Sequence, residues 1–126
     1  MKLSVSERYD AAVVSIKGDF FGLHDGPALE KALADLRESN RVRVVLDVEN
    51  TSRIDSSAIG AIIAQTEALR ESGGDLRFGG VNERNRVLQL LTVFHLLEFY
   101  RWYPTVDEAI ASYASEAPGA PAPASE

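Results

Sequence analysis

The sequence predicts an α/β protein in which helices pack on a mixed β-sheet. After an opening pair of strand patterns, segments with the two-residue period of a strand alternate with segments that have the 3.6-residue period of a helix. The segment Val42–Val48 is rich in valine and mostly apolar, which is typical of a central strand covered on both faces. This alternation favours crossover connections, with the helices lying on the sheet.

A β-hairpin is expected first. Leu3 and Val5 alternate with polar neighbours, and so do Val14 and Ile16 on the other side of a turn at Tyr9–Asp10. This pattern predicts two antiparallel strands with one buried face.

Apolar residues at helical spacing predict four helices. Pro27 suits the first turn of the first helix, and Gly73–Gly74 stops the second. Asn82 is the predicted N-cap of the third, and Thr105 with Glu108 forms a capping box for the fourth. The stripes comprise Leu29, Ala32, Leu33 and Leu36 in the first helix, Ile59, Ile62, Ile63 and Thr66 in the second, Val87, Leu90, Leu91 and Phe94 in the third, and Val106, Ala109, Ile110 and Tyr113 in the fourth.

Two further strands complete the prediction. Leu76 and Phe78 indicate a short strand that ends at Gly79–Gly80, and the aromatic segment Phe99–Tyr103 indicates another. The order is therefore β-β-α-β-α-β-α-β-α, a mixed sheet of about five strands with four helices. The glycines at 18, 22 and 26 match no phosphate-binding motif and are interpreted as a loop between strand and helix.

The chain divides into one domain, residues 1–115, and a tail, residues 116–126. The 126 residues are 45% hydrophobic and 25% charged, which are ordinary values for a single globular domain. The tail has no large apolar side chain and contains three prolines, so we expect it to be flexible.

Composition excludes several classes of function. The net charge of −6 disfavours nucleic acid and anionic membranes, and the absence of cysteine excludes disulfides and thiol nucleophiles. No apolar run is long enough to span a bilayer and none resembles a secretion signal, so we expect a cytoplasmic protein without membrane insertion. His24 and His95 are isolated in sequence, so we expect no metal site and no cofactor.

The most informative motif is Asp55-Ser56-Ser57, which follows a buried strand and begins a helix. Simple capping explains these residue types, because Asp and Ser are preferred at helix N-termini. A serine nucleophile is disfavoured, since the Gly-x-Ser-x-Gly motif is missing, and we expect no enzymatic activity. Phosphorylation of Ser57 is the remaining alternative, and it would add about −1.5 to −2 charges there.

The chain resembles the STAS domains of the anti-sigma factor antagonist family, bacterial regulators that release sigma factors from anti-sigma factors. The resemblance covers about residues 3–112. It rests on four segments: Leu46-Asp47, Ile54-Asp55-Ser56-Ser57-Ala58-Ile59-Gly60, Gly73-Gly74-Asp75-Leu76, and Tyr103-Pro104-Thr105-Val106-Asp107-Glu108-Ala109-Ile110.

The resemblance implies that Ser57 is the phosphoacceptor and that Gly60 allows its helix to pack closely. It also implies the partners, namely an anti-sigma factor that is a serine kinase and a serine phosphatase, with this chain acting as a monomer or weak homodimer. The expected partner-binding residues are Asp19, Phe20, Phe21, Asp55, Ser56, Ala58 and Ile59.

The sequence departs from the family pattern at three positions. Ala58 replaces a usual glycine, Phe21 stands at or near a usual acidic residue, and no glycine occurs close to Val93. An alternative function therefore stays open, that of an unphosphorylated STAS subunit of an ABC-type transporter or a signalling scaffold.

Overall fold

The computed structural model describes residues 1–114 and residue 116, and within them it has the predicted five-stranded mixed sheet with four helices. The predicted tail beyond Glu116 lies outside the described residues. In chain order the elements are β1 (Lys2–Arg8), β2 (Ala11–Phe20), α1 (Gly22–Glu38), β3 (Arg43–Asp47), β4 (Thr51–Ile54), α2 (Ser56–Glu71), β5 (Asp75–Gly79), α3 (Val87–Val93) and α4 (Val106–Ala114).

The sheet is built around β2, the longest strand. β1 and β2 form the predicted antiparallel hairpin, and Tyr9 occupies its turn with a left-handed φ of 56°. β3 pairs in parallel with the first half of β2, and β5 pairs in parallel with β3, which makes β3 the central strand the sequence predicts. β4 pairs in parallel with the last residues of β2, Gly18 and Phe20.

Helices cover both faces of β2 and β3, which explains their mostly apolar sequences. Val14 and Val44 belong to the larger core cluster, which the sheet shares with α1, α2 and α3. Val13 and Val45 point to the opposite face, where they pack with α4 in a smaller cluster. The expectation of a hairpin with one buried face is wrong for both strands. On β1, Leu3 is only partly buried and Val5 is 44% exposed, whereas β2 is buried on both faces.

The loop predicted after β3 contains a strand that the sequence did not reveal. β4 has two exposed polar residues, Ser52 and Arg53, and therefore lacks the alternation of a half-buried strand. The aromatic segment predicted as the last strand does lie along β5. There the backbone N–H of Tyr103 donates to the carbonyl of Phe78, and Trp102 forms a single parallel bridge with Phe78.

Two helix starts differ from the prediction. α1 begins at Gly22, so Pro27 lies inside the helix rather than in its first turn, and Gly22 and Gly26 are helical rather than part of a loop. α3 begins only at Val87, and its N-cap is Arg86 rather than Asn82. The Asn82 side chain instead accepts hydrogen bonds from the backbone N–H groups of Arg84 and Asn85, which shapes the turn before the helix.

The described chain makes contacts as far as Glu116. Its carboxylate pairs at 2.6 Å with the guanidinium of Arg77, a fully buried side chain that also pairs with Asp75 at 3.1 Å. The contacts to the domain therefore extend to the first residue of the segment predicted to be a tail.

We expect Thr105→Ala to lower the free energy of unfolding by about 0.5–2 kcal/mol, because it removes an N-terminal cap of α4. The Thr105 hydroxyl accepts from the backbone N–H of Glu108 at 3.1 Å. Thr92→Ala is the matched control, since the exposed Thr92 hydroxyl donates to the carbonyl of Leu88 within α3 and caps nothing. Urea unfolding followed by circular dichroism measures both variants and the parent. A midpoint of Thr105→Ala equal to that of the parent would contradict the capping role.

Candidate functional site

A single carboxylate oxygen joins the N-termini of α1 and α2. Oδ1 of Asp55 accepts from the backbone N–H of Ala58 at 2.8 Å and from that of Gly22 at 3.0 Å. Asp55 is thus the N-cap of its own helix and satisfies an otherwise unpaired donor of a second helix. The capping interpretation of the motif is correct for Asp55, and it does not account for Ser56 or Ser57.

Gly22 makes the close approach of the two helix ends possible. A Cβ atom on Gly22 would lie 2.1 Å from the carbonyl carbon of Ser57 and 2.3 Å from the backbone nitrogen of Ala58. Because backbone atoms cannot yield as a flexible side chain can, no larger residue fits there. The family resemblance assigned close packing to Gly60, but Gly60 is exposed and a Cβ there would meet nothing within 4 Å.

Ser56 and Ser57 present their side chains at the surface of the first turn of α2. Both residues are exposed, and among the described residues neither hydroxyl takes part in a hydrogen bond. Exposed apolar side chains lie nearby on the adjoining helix start, where Phe21 is 39% and Leu23 is 91% exposed. A free hydroxyl beside apolar surface is open to modification and to contact with another protein.

Three of the predicted partner-binding residues are buried, which corrects the extent of the expected surface. Phe20 and Ala58 are fully buried, and Ile59 is nearly so. Phe20 and Ala58 belong to the larger core cluster and Ile59 is buried at the start of α2, so these residues support the site from beneath. Of the predicted set, Asp19, Phe21, Asp55 and Ser56 retain exposed surface.

Asp19 belongs to a charged cluster at the end of β2. Its carboxylate pairs with the guanidinium of Arg53 at 2.9 Å, and this hydrogen bond holds the pKa of Asp19 below its usual value. The Arg53 guanidinium also lies 5.7 Å from the ring centre of Phe21, within the range of a cation–π contact. Arg53 on β4 thus connects two of the predicted contact residues, which the sequence analysis did not detect.

Asp25 stabilises the start of α1 from within that helix. Its buried carboxylate accepts from the backbone N–H of Phe21 at 2.9 Å and contacts the His24 ring nitrogen Nδ1 at 2.9 Å. The backbone bond, followed by the contact with His24, lowers the pKa of Asp25. Sequence reasoning missed this residue because Asp25 lies in the segment interpreted as a loop.

The described residues contain neither a cluster of metal ligands nor a membrane-spanning helix. No group of three or more His, Cys, Asp or Glu side chains is arranged to hold a metal ion within that part of the chain. None of the helices in the same residues is long and apolar enough to cross a bilayer.

The STAS domain family model matches residues 2–109. The chain belongs to the STAS domain family. STAS domains are regulatory binding modules and are not typically catalytic. The match spans the sheet, the Asp55 cap and Ser57.

Solved structures with the same fold include regulators and a transporter protein. An anti-sigma factor antagonist from Mycobacterium paratuberculosis has 21% identity and a TM-score of 0.75, covering 90% of this chain and 94% of its own. The anti-sigma factor antagonist SpoIIAA in its unphosphorylated form has 16% identity and a TM-score of 0.70, covering 91% and 100%. A sulfate transporter family protein from Wolinella succinogenes has 24% identity and a TM-score of 0.70, covering 81% and 83%.

We expect Gly22→Ala to destabilise this STAS domain by about 1–3 kcal/mol or more, because the added methyl group overlaps the backbone of α2. Gly60→Ala is the matched control. It adds the same methyl group to an exposed helical position with open space, so it should stabilise the chain by about 0.5–1 kcal/mol. Thermal unfolding of the two variants and the parent measures both effects. A melting temperature of Gly22→Ala equal to that of the parent would contradict the close approach of Gly22 to the backbone of α2.

Proposed function

We propose that this STAS domain is an anti-sigma factor antagonist controlled by phosphorylation of Ser57. In this proposal the unphosphorylated form binds an anti-sigma factor that is also a serine kinase, and the sigma factor is released. The observation that carries the proposal is the exposed Ser57 hydroxyl, which has no hydrogen bond to any described residue and lies at the position of the family's phosphoacceptor. Solved relatives support it, since SpoIIAA is known in both an unphosphorylated and a phosphorylated form.

Phosphorylation at this position should leave the fold intact. Ser57 lies in the first turn of α2, where the helix dipole favours an added anion by about 0.3–1 kcal/mol. The backbone of α1 approaches this turn closely at Gly22, whereas Ser57 itself is exposed. The phosphate can therefore extend into solvent without displacing the core.

The same phosphate should oppose the docking of a partner. A phosphoserine carries about −1.5 to −2 charges, and covering it with a protein surface removes its hydration. Phe21 and Leu23 would be buried in the same contact, so the dianion would lie beside apolar surface and near the Asp55 carboxylate. A loss of about 3 kcal/mol would weaken binding more than a hundredfold.

In this mechanism the chain is a substrate and a competitor rather than an enzyme. The ATP would belong to the kinase and any metal to the phosphatase that reverses the modification, so the chain itself needs no cofactor. We place it in the bacterial cytoplasm, where the sigma factor and its anti-sigma factor act.

One comparison favours a second candidate function. The sulfate transporter family protein from Wolinella succinogenes shares the fold at 24% identity, so an accessory role in a transporter is also compatible with this architecture. That role would not require phosphorylation, and the state of Ser57 in cells of the native host separates the two candidates.

We expect Ser57→Ala to bind the cognate anti-sigma kinase as the parent does but to lose labelling by that kinase with ATP. Ser57→Asp should keep the fold but bind more weakly, although less weakly than phosphoserine, because it carries one charge and fewer oxygens. Phosphotransfer and calorimetric titration measure these effects, with circular dichroism as the folding test.

Ser56→Ala is the matched control, because Ser56 is the neighbouring exposed serine and its hydroxyl caps neither helix. It should be labelled and bound like the parent, with unchanged stability. Labelling of Ser57→Ala at the parental level, or tight binding of Ser57→Asp, would reject the phosphorylation switch and move the transporter role to first place.

A further inference from the structure

A surface groove of about 640 Å³ lies beside the Ser57 site, between β4 and the segment that leads into α3. Its apolar lining includes Phe21, Ile54, Leu90 and Val93. Phe21 is thus shared between the groove and the exposed surface next to Ser57. A partner seated on that surface could extend into the groove without a gap.

The groove is positively charged although the chain carries a net charge of −6. Arg53, Arg84 and Arg86 all line it. Arg53 is neutralised by Asp19, but neither Arg84 nor Arg86 forms an ion pair with any described residue. The carboxylate that faces the groove is Asp55, whose Oδ1 is already occupied by two backbone N–H groups.

Buried hydrogen bonds hold in place the backbone segment that carries Arg84 and Arg86. The buried Asn85 side chain donates to the carbonyls of Val48 and Gly80 at 2.8 and 2.9 Å and accepts from the backbone N–H of Val87 at 3.2 Å. The two unpaired arginines flank Asn85 directly in sequence. Their backbone is therefore fixed next to the sheet, while the two exposed side chains are free to reach a ligand.

The shape of the groove favours a polypeptide segment over a small anion. It is open to solvent, and its apolar lining reaches Val93, which is 62% exposed and is followed by Phe94 at 41%. A compact anion would satisfy the arginines and leave this apolar surface uncovered. A segment with acidic and large apolar side chains complements both features.

We propose that this groove, lined by Arg84, Arg86, Leu90 and Val93, binds an acidic segment of a protein partner that also carries apolar anchors. The inference deepens the proposed function, on which it rests, since the segment would belong to the protein that covers Ser57. Acidic side chains would pair with Arg84 and Arg86, and an apolar side chain would pack between Leu90 and Val93.

The test uses the full chain labelled with ¹⁵N and a short synthetic peptide in which glutamates flank a pair of leucines. We expect amide shifts at Arg84, Arg86, Leu90 and Val93 that saturate at low salt and weaken at high salt. The double variant Arg84→Glu/Arg86→Glu should bind about tenfold more weakly, because it replaces two attractive charges with repulsive ones.

The matched control is Lys2→Glu/Lys31→Glu, which changes the net charge equally at exposed positions on β1 and α1. It should bind the peptide like the parent. Equal weakening of both double variants, or shifts confined to other surfaces, would overturn the groove assignment. So would groove shifts caused by a nucleoside triphosphate but not by the peptide, since these would indicate a small-anion site.

Labelling of Ser57 by the kinase separates this proposal from the proposed function. If Ser57 is labelled and the peptide fails to bind, only the groove is rejected. If the peptide binds in the groove and Ser57 is not labelled, the phosphorylation switch is rejected and the groove remains.

Discussion

The Asp55 carboxylate is the contact on which the geometry of the site depends. One of its oxygens accepts from backbone donors at the starts of two helices, α1 and α2, which are far apart in sequence. Each helix start has backbone N–H groups that its own helix cannot satisfy, and the shared anion also lies at the positive end of both helix dipoles. The surface around Ser57 exists because these two helix starts are held side by side.

Glycine at position 22 is the steric counterpart of that electrostatic contact. The hydrogen bond from Gly22 to Asp55 forms only where the backbone of α1 can approach Ser57 and Ala58 more closely than any side chain allows. Phe20 and Ala58, both fully buried, complete the support beneath the surface. A rigid base of this kind would allow the proposed phosphorylation of Ser57 to change what the surface binds without changing the fold.

The groove beside Ser57 differs in charge from the chain as a whole. The chain as a whole is acidic, yet the groove beside Ser57 holds two arginines without ion pairs among the described residues. A partner with an acidic segment would be attracted to the groove and would then cover Ser57. Added phosphate would oppose that second contact through its charge and its hydration, so attraction and regulation would act at adjacent parts of one surface.

The sequence by itself determined the fold class, most of the elements and the position of Ser57. Periodicity of apolar residues is a local property, so the hairpin, the central strand β3 and the stripes of α2 and α4 could be read directly. The motif Ile54–Gly60, which carries much of the family resemblance, is also a property of the sequence and requires no knowledge of tertiary contacts. The cap at Thr105 was equally local, since donor and acceptor are three residues apart.

Only the tertiary structure decided which residues form the surface. Phe20, Ala58 and Ile59 were expected to contact a partner, but long-range packing against the sheet buries them, and no local pattern reports that. The role assigned to Gly60 belongs to Gly22, because close approach depends on an element distant in sequence. Strand β4 and the pairing of Arg53 with Asp19 were also hidden, since two exposed polar residues become a strand only when the end of β2 supplies their hydrogen-bond partners.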